Sequence, residues 1–320
     1  MNELLFSSFW PAFLTAAVLA WPIYRLLLLT KSRQKIDPFA PETHQAKQGT
    51  PTMGGLIIVV GAMATLLARS GDVVSSATQR PLLASWVLLL GFAMIGFVDD
   101  FVVPRIWKGK RGLGWKQKIA LEVLFAAIAG YALFGATPAA GFAVFLILFF
   151  SNAYNFSDGL DGLAGTIWLG LALGLVLLPN ALHPLNIIVA MGISGGVVAF
   201  LFLNAPPAKV FMGDVGSLPI GALLGMVIAG QVIGRDGTIL PANFAAPIFL
   251  SLLMVAELVP VPMQVGYFKL TKGKRLFPYT PIHHAFEKKG WKETRVVYTF
   301  ALVQLLLSLF ACTLAGTVSP

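Results

Sequence analysis

The chain has 320 residues, of which 57% are hydrophobic and only 12% charged, with a net charge of +9. That balance excludes a soluble globular domain, whose surface needs about twice as many charges; the bilayer is the solvent for this sequence. The basic excess fits orientation in a membrane and contact with anionic lipid or substrate, and no nucleic acid partner is expected of a chain this apolar.

Apolar stretches recur from end to end without a long polar block. The expected fold is therefore all-α, a polytopic integral membrane protein with about ten transmembrane helices in a single domain over residues 1–320. In chain order the apolar runs lie at 4–29, 54–68, 81–98, 119–134, 138–150, 162–179, 184–203, 217–233, 243–268 and 296–316. Each is bounded by Gly, Pro or charge. The first lacks a basic start and is too long for a cleaved signal, so it reads as a retained span. No Lys or Arg precedes it, whereas Arg25, Lys31, Arg33 and Lys35 follow, which places the N-terminus outside. The inside segments are then 30–53, 99–118, 151–161, 204–216 and 269–295. They hold every Lys and Arg of the chain except Arg25, Arg69, Arg80 and Arg235. Cys312, the single cysteine, sits in the last run as an apolar filler with no partner for a disulfide or a metal pair.

Five of the fourteen acids fall at one membrane face. Asp99 and Asp100 end the third span, Asp158 and Asp161 open the sixth, and Asp214 precedes the eighth. On a helix, Asp99 and Asp100 diverge by about 100°, so one is expected to face a metal and the other a substrate. Asp158 and Asp161, three apart, would share one helical face, and Asp158 could cap its span. Carboxylate oxygens are the preferred ligands of Mg²⁺. The small-residue segments GTPTMGG at 49–55, NFSDGLDGLAG at 155–165 and GDVGS at 213–217 allow close approach of backbone N–H groups to phosphate. Lys47, Lys116, Lys118, Lys288 and Lys289 supply counter-charge for a diphosphate, Lys47 being the strongest candidate. Glu257 is the one acid placed well inside a span, and Pro260 and Pro262 beside it imply a break there. Such an acid is either functional or tied to the broken helix. His283 and His284 lie in a loop on the same face as the acids and can contact phosphate, position a carboxylate or transfer a proton. A zinc site is disfavoured by the lack of cysteine ligands and by the hard acids. His44 and His183 read as ordinary surface residues.

Taken together, KQGTPTMGG at 47–55, FVDD at 97–100, NAYNFSDGLDGLAGT at 152–166, FMGDVGSL at 211–218 and PIHHAFEKKGW at 281–291 resemble the phospho-N-acetylmuramoyl-pentapeptide transferase family of the polyprenyl-phosphate hexose-1-phosphate transferase superfamily. The resemblance covers nearly the whole chain. It implies ten transmembrane helices with both termini outside, a cytoplasmic active site in the bacterial inner membrane, and a homodimer. It also implies Mg²⁺-dependent transfer of phospho-MurNAc-pentapeptide from UDP-MurNAc-pentapeptide to undecaprenyl phosphate, releasing UMP and forming lipid I for peptidoglycan. By motif, Asp214 is the expected Mg²⁺ ligand, and Asp99, Asp100, Asp214 and His283 the catalytic set. Lys47, Thr52, Asn155, Asp158, Asp161, Asn204, Ser217, Gln264 and His284 fall at substrate-contact positions. Two residues depart from the family pattern: Ala285 replaces a third consecutive histidine, and Val103 replaces a lysine whose phosphate contact Arg105 or Lys116 could supply. Two other readings remain. A sister enzyme transferring GlcNAc-1-phosphate would share the acids and the metal, although the HHAFEKKGW loop favours the MurNAc-pentapeptide donor. A secondary transporter would need polar groups near the bilayer midplane, where Glu257 stands alone.

Overall fold

The computed structural model describes residues 2–30, 47, 49–72, 76–107, 110, 112–178, 184–234 and 236–318. His44 and His183, with Lys31, Arg33, Lys35 and Arg235 of the charge argument, lie outside the described residues.

The described chain is mostly helical, and Ile233 and Ile239 form an isolated antiparallel bridge outside the helices. Its helices are α1 Asn2–Leu29, α2 Gly55–Ala68 and α3 Ser76–Phe97. After α3 a π-turn, Val98–Val102, leads into the short α4 Val103–Ile106. There follow α5 Trp115–Phe134, α6 Pro138–Ser157, α7 Leu163–Leu177, α8 Pro184–Asn204 and α9 Asp214–Val232. The last elements are α10 Ala245–Leu258, α11 Pro260–Leu270, α12 Ile282–Lys288 and α13 Glu293–Val318.

Eight helical stretches among the described residues are long and apolar enough to cross a membrane, and two shorter apolar helices, α2 and α7, occupy the other two expected spans. With 14 and 15 residues, the short pair rise only about 21–23 Å against a hydrocarbon core of about 30 Å. Each starts directly after a motif loop, 50–54 or 158–162, whose backbone is largely buried in protein. Irregular backbone at such depth needs that cover, because lipid cannot satisfy its polar groups.

Several helices outrun the apolar windows that predict them. α5 begins at Trp115 and includes Lys116 to Lys118, while α6 continues through the polar stretch Ser151–Ser157. A composition window stops at polar residues, whereas the helix continues because those residues pair with neighbouring helices. The expected break in the ninth run is present. α10 passes to α11 at Val259, where Pro260 has no N–H to donate and Met263 N reaches Val259 O at only 3.5 Å.

The centre of the bundle is α9, with 94% of its apolar window buried against α6, α3 and α2. A helix enclosed on all sides must be apolar all round and small where backbones touch. At Gly55 of α2 an added Cβ would lie 2.3 Å from Gly216 Cα, and at Gly96 of α3 one would lie 2.2 Å from the Asp214 carbonyl carbon. These two contacts lock the start of α9 to α2 and to the end of α3. At the periphery only 22% of the windows of α1 and α5 are buried. Phe6, Trp10, Leu14 and Val18 on α1, and Ile119, Val123, Leu124 and Ile128 on α5, are exposed to what would be lipid.

Candidate active site

Five chain segments meet at one end of the bundle. The loop before α2 and the strand-like stretch before α9 pair through their backbones: Phe211 N donates to Pro51 O (2.8 Å), Gly54 N to Phe211 O (2.8 Å) and Gly55 N to Met212 O (2.9 Å). This pairing sets Thr52 beside Gly213. A Cβ on Gly213 would stand 2.5 Å from Asp100 Oδ2 and 2.6 Å from Thr52 Oγ1, and its φ of +71° is one that L side chains rarely adopt. Glycine is therefore required where the chain turns into α9.

Asp99, Asp100 and Asp214 each offer a carboxylate oxygen within 4.8 Å of the others. Asp99 and Asp100 lie on the π-turn, and both bring an oxygen to the cluster with Asp214. Asp99 Oδ1 accepts from Leu113 N at 2.6 Å. Asp214 Oδ1 accepts from Asn155 Nδ2 at 2.7 Å, and the same amide donates to Ser217 Oγ at 2.8 Å. Asp214 Oδ2 accepts from Lys118 Nζ. Fully ionised, three carboxylates and one ammonium leave two uncompensated negative charges. At this separation each carboxylate pair repels by about 3–4 kcal/mol at an effective dielectric of about 20. One divalent cation with oxygen preference answers both the charge and the donor chemistry, so the residues fit Mg²⁺.

Asp158 and Asp161 do not share a helical face. They lie in the turn between α6 and α7, where Asp158 ends α6 instead of capping α7, because glycines at 159 and 162 interrupt the helix. Burial, the Asp214 charge and Asp161 push the Asp158 carboxyl well above the usual range, against a backbone N–H from Gly213 that favours the ionised form. Asp161 is 2% exposed and both its oxygens are engaged. Oδ1 accepts from Lys47 Nζ at 2.7 Å and Oδ2 from Ala208 N at 2.9 Å. Lys47 also donates to Glu293 Oε1 (2.6 Å) and Oε2 (2.8 Å), and Glu293 Oε1 accepts from Asp161 N at 2.7 Å. Asn204, 3% exposed, ties the same loops together: its Oδ1 accepts from Gly162 N (2.9 Å) and its Nδ2 donates to Val210 O (2.8 Å).

The remaining expected residues come from the segment after α10. Gln264 Oε1 accepts from Leu276 N (3.0 Å) and Phe277 N (2.8 Å), bracing the loop that leads to the histidines. His283 is 1% exposed, with Nδ1 2.9 Å from Glu257 Oε2, and its Nε2 packs on Gly159 of the acidic turn. His284 lies more open, with Nδ1 2.8 Å from Glu287 Oε2. Arg105 is occupied, stacked on Phe101 and donating to Thr30 O. Lys116 stands over Trp115.

Two site residues escape the sequence reading, while Lys118, read there as one of several counter-charges for a diphosphate, contacts Asp214 itself. Glu293, the first residue of α13, holds Lys47. Glu122 is fully buried inside α5, so Glu257 is not the only deep acid; Glu122 Oε2 accepts from Asn152 Nδ2 at 2.9 Å. Its i+4 spacing from Lys118 is the one signal that could have flagged it.

The family model described as glycosyl transferase family 4 matches residues 82–231. The phospho-N-acetylmuramoyl-pentapeptide-transferase signature 1 matches residues 47–59, which contain Lys47, Thr52 and the loop paired with the start of α9. Three relatives bear the name phospho-N-acetylmuramoyl-pentapeptide-transferase. That of Shouchella clausii is 37% identical over 314 residues, covering 92% of each chain. That of Clostridioides difficile is 33% identical over 320 residues, covering 93% of each. That of a Wolbachia of Brugia malayi is 36% identical over 309 residues, covering 88% of this chain and 90% of its own. On this likeness the chain belongs to the phospho-N-acetylmuramoyl-pentapeptide-transferase family.

Proposed function

We propose that this protein transfers phospho-MurNAc-pentapeptide from UDP-MurNAc-pentapeptide to undecaprenyl phosphate, releasing UMP and forming lipid I, with Mg²⁺ held by Asp214 together with Asp99 and Asp100. The observation that carries this reading is the convergence of these three carboxylates at the bundle end, in a chain of this family. The lysine and arginine asymmetry along the chain supports a cytoplasmic location for that end and an outside N-terminus, in the bacterial inner membrane. The homodimer rests on the family resemblance.

Two anionic phosphates must be brought into line for the reaction, so charge neutralisation and positioning are the main tasks of the site. The bound Mg²⁺ supplies charge neutralisation of the diphosphate and of the departing UMP. Lys118 and Asn155 hold the two oxygens of Asp214 in place. Asp99 orients or deprotonates the lipid phosphate, whose oxygen attacks the phosphorus attached to the sugar while the bond from that phosphorus to UMP breaks. Thr52, Asn155, Asp158, Ser217, Gln264 and His284 line or brace the donor site, and His283 acts beside the acidic turn. Lys47, Asp161 and Asn204 are assigned to the same site and hold its loops in register. The rival route passes through a covalent phosphosugar–carboxylate intermediate; trapping such an adduct in the absence of lipid acceptor would replace direct attack.

The test is transfer by purified protein in detergent with undecaprenyl phosphate and Mg²⁺, following UMP and lipid product. Product from UDP-MurNAc-pentapeptide and none from UDP-GlcNAc is expected. Product from UDP-GlcNAc alone would assign the chain to the sister reaction.

A further inference from the structure

The reaction above gives His283 a part but leaves Glu257, its buried partner, without one. Glu257, fully buried, sits one residue pair before the α10–α11 break, and His283, 1% exposed, comes from α12. Their link, Nδ1 to Oε2 at 2.9 Å, spans 26 residues of sequence. Each partner keeps one atom, Glu257 Oε1 and His283 Nε2, without a hydrogen-bond partner among the described residues. A buried polar atom without a partner is costly and calls for an explanation. His283 Nε2 points to the acidic turn: a Cβ on Gly159 would lie 2.3 Å from it, so the imidazole rests on the bare backbone between Asp158 and Asp161. The His284 ring lies against that of His283, with centroids 4.1 Å apart, and Glu287 engages His284.

We propose that Glu257 is the positioning residue of His283. Its carboxylate accepts a hydrogen bond from Nδ1–H and thereby fixes the imidazole in the tautomer whose Nε2 lone pair faces the acidic turn, ready to accept a hydrogen bond from a donor group of the bound sugar nucleotide. The tautomer belongs to the proposal: an ionised Glu257 only accepts, which makes Nδ1 the donor. A carboxylate that orients a histidine through the ring nitrogen remote from the chemistry is a recurring device in catalysis. Here the acid is supplied from the broken span, and the break frees the helix end to turn toward α12. The role assigned to Nε2 rests on the transferase reading; the tautomer does not.

The experiment uses the full chain in detergent with ¹⁵N-labelled histidine, the His283 signals being identified by their loss in His283→Gln among four histidines. In the wild type, Nδ1 is expected to carry the proton and Nε2 to show the unprotonated signature. Glu257→Gln, which keeps an acceptor oxygen, should preserve that pattern and most of the transfer rate. Glu257→Leu should shift the proton toward Nε2 and lower transfer about 10- to 100-fold, and Glu257→Leu combined with His283→Gln should lose no more than His283→Gln alone. Gly159→Ala, which displaces the ring without touching Glu257, should lower transfer while leaving the proton on Nδ1. A proton on Nε2 in the wild type, or losses that multiply in the double variant, would overturn the proposal. Should Glu257→Leu fail to fold, the wild-type and Glu257→Gln spectra still decide it. If the protein transfers nothing, the transferase reading fails and the spectra still test the dyad.

Discussion

At the scale of single residues the site is organised by competition for Asp214. Its two oxygens are taken by Asn155 and Lys118, so Lys118 holds the charge that a divalent cation would otherwise answer. Lys118→Met is expected to lower turnover about 100-fold through the lost counter-charge on the phosphates. The same change should reduce the Mg²⁺ concentration needed for half-maximal rate, because the lysine no longer competes for the carboxylate. A Mg²⁺ titration of UMP release reads both effects. Asp158 gives a second prediction. Its carboxyl is pushed up by burial and by the Asp214 charge. A folded-state pKa above the unfolded value means that ionisation of this group destabilises the fold, a penalty that grows as pH rises past the ordinary carboxylate range. In the presence of a chelator, Asp158→Asn should therefore raise the thermal denaturation midpoint at neutral pH, with the gain vanishing as the pH falls below that range. A midpoint difference independent of pH would refute the assignment.

At the scale of elements, the approach of helix ends matters more than any single contact. The end of α3 can carry two acids to the start of α9 only because Gly96 has no side chain between them. Gly96→Ala is expected to cost about 1–3 kcal/mol from overpacking and to reduce transfer by more than the loss of folded protein explains, measured by comparing rate with the denaturation midpoint. α13 is anchored at its start by Glu293, which takes both the Lys47 ammonium and the Asp161 N–H, and an acid in the first turn also suits the helix dipole. Glu293→Ala should lower stability by about 2 kcal/mol by leaving Lys47 and Asp161 partly unpaired. Thermal denaturation in detergent with and without Lys47→Met reads the coupling. The sequence states most of this level through composition: the ten apolar runs fall on helices and the proline-marked break falls at Val259. It does not state the π-turn at Val98–Val102 or the non-helical turn at Asp158–Gly162. In both, local spacing suggests a regular helix, while packing on α9 and glycine at 159 and 162 decide otherwise.

At the scale of the whole molecule, Asp99, Asp100, Asp158, Asp161 and Asp214 were legible because a membrane chain has few acids and these five fall at span ends read as one side. Their partners were not. Lys118 reaches Asp214 across 96 positions, Lys47 reaches Asp161 across 114 and Glu293 across 246, and no local pattern marks such pairings. The reading of Lys47 as a substrate contact came from its motif. The fold adds that two carboxylates already hold this lysine, so its contribution to the site includes joining the N-terminal loop to α13. The architecture is thus a lipid-facing shell, including α1 and α5, around a buried α9 whose first residue is the proposed metal ligand.

The central claim is that Asp99, Asp100 and Asp214 together hold the Mg²⁺ on which phosphosugar transfer depends. It is tested most directly by measuring lipid I formation from UDP-MurNAc-pentapeptide and undecaprenyl phosphate as Mg²⁺ is titrated from chelator-treated protein, in the wild type and in Asp214→Asn. The account predicts no product without the metal, saturable recovery in the wild type, and a loss of about 1,000-fold or more in Asp214→Asn at every Mg²⁺ concentration, with the variant still showing a cooperative denaturation transition above the assay temperature. Metal-independent product in the wild type, or full recovery of Asp214→Asn at ordinary Mg²⁺, would contradict it.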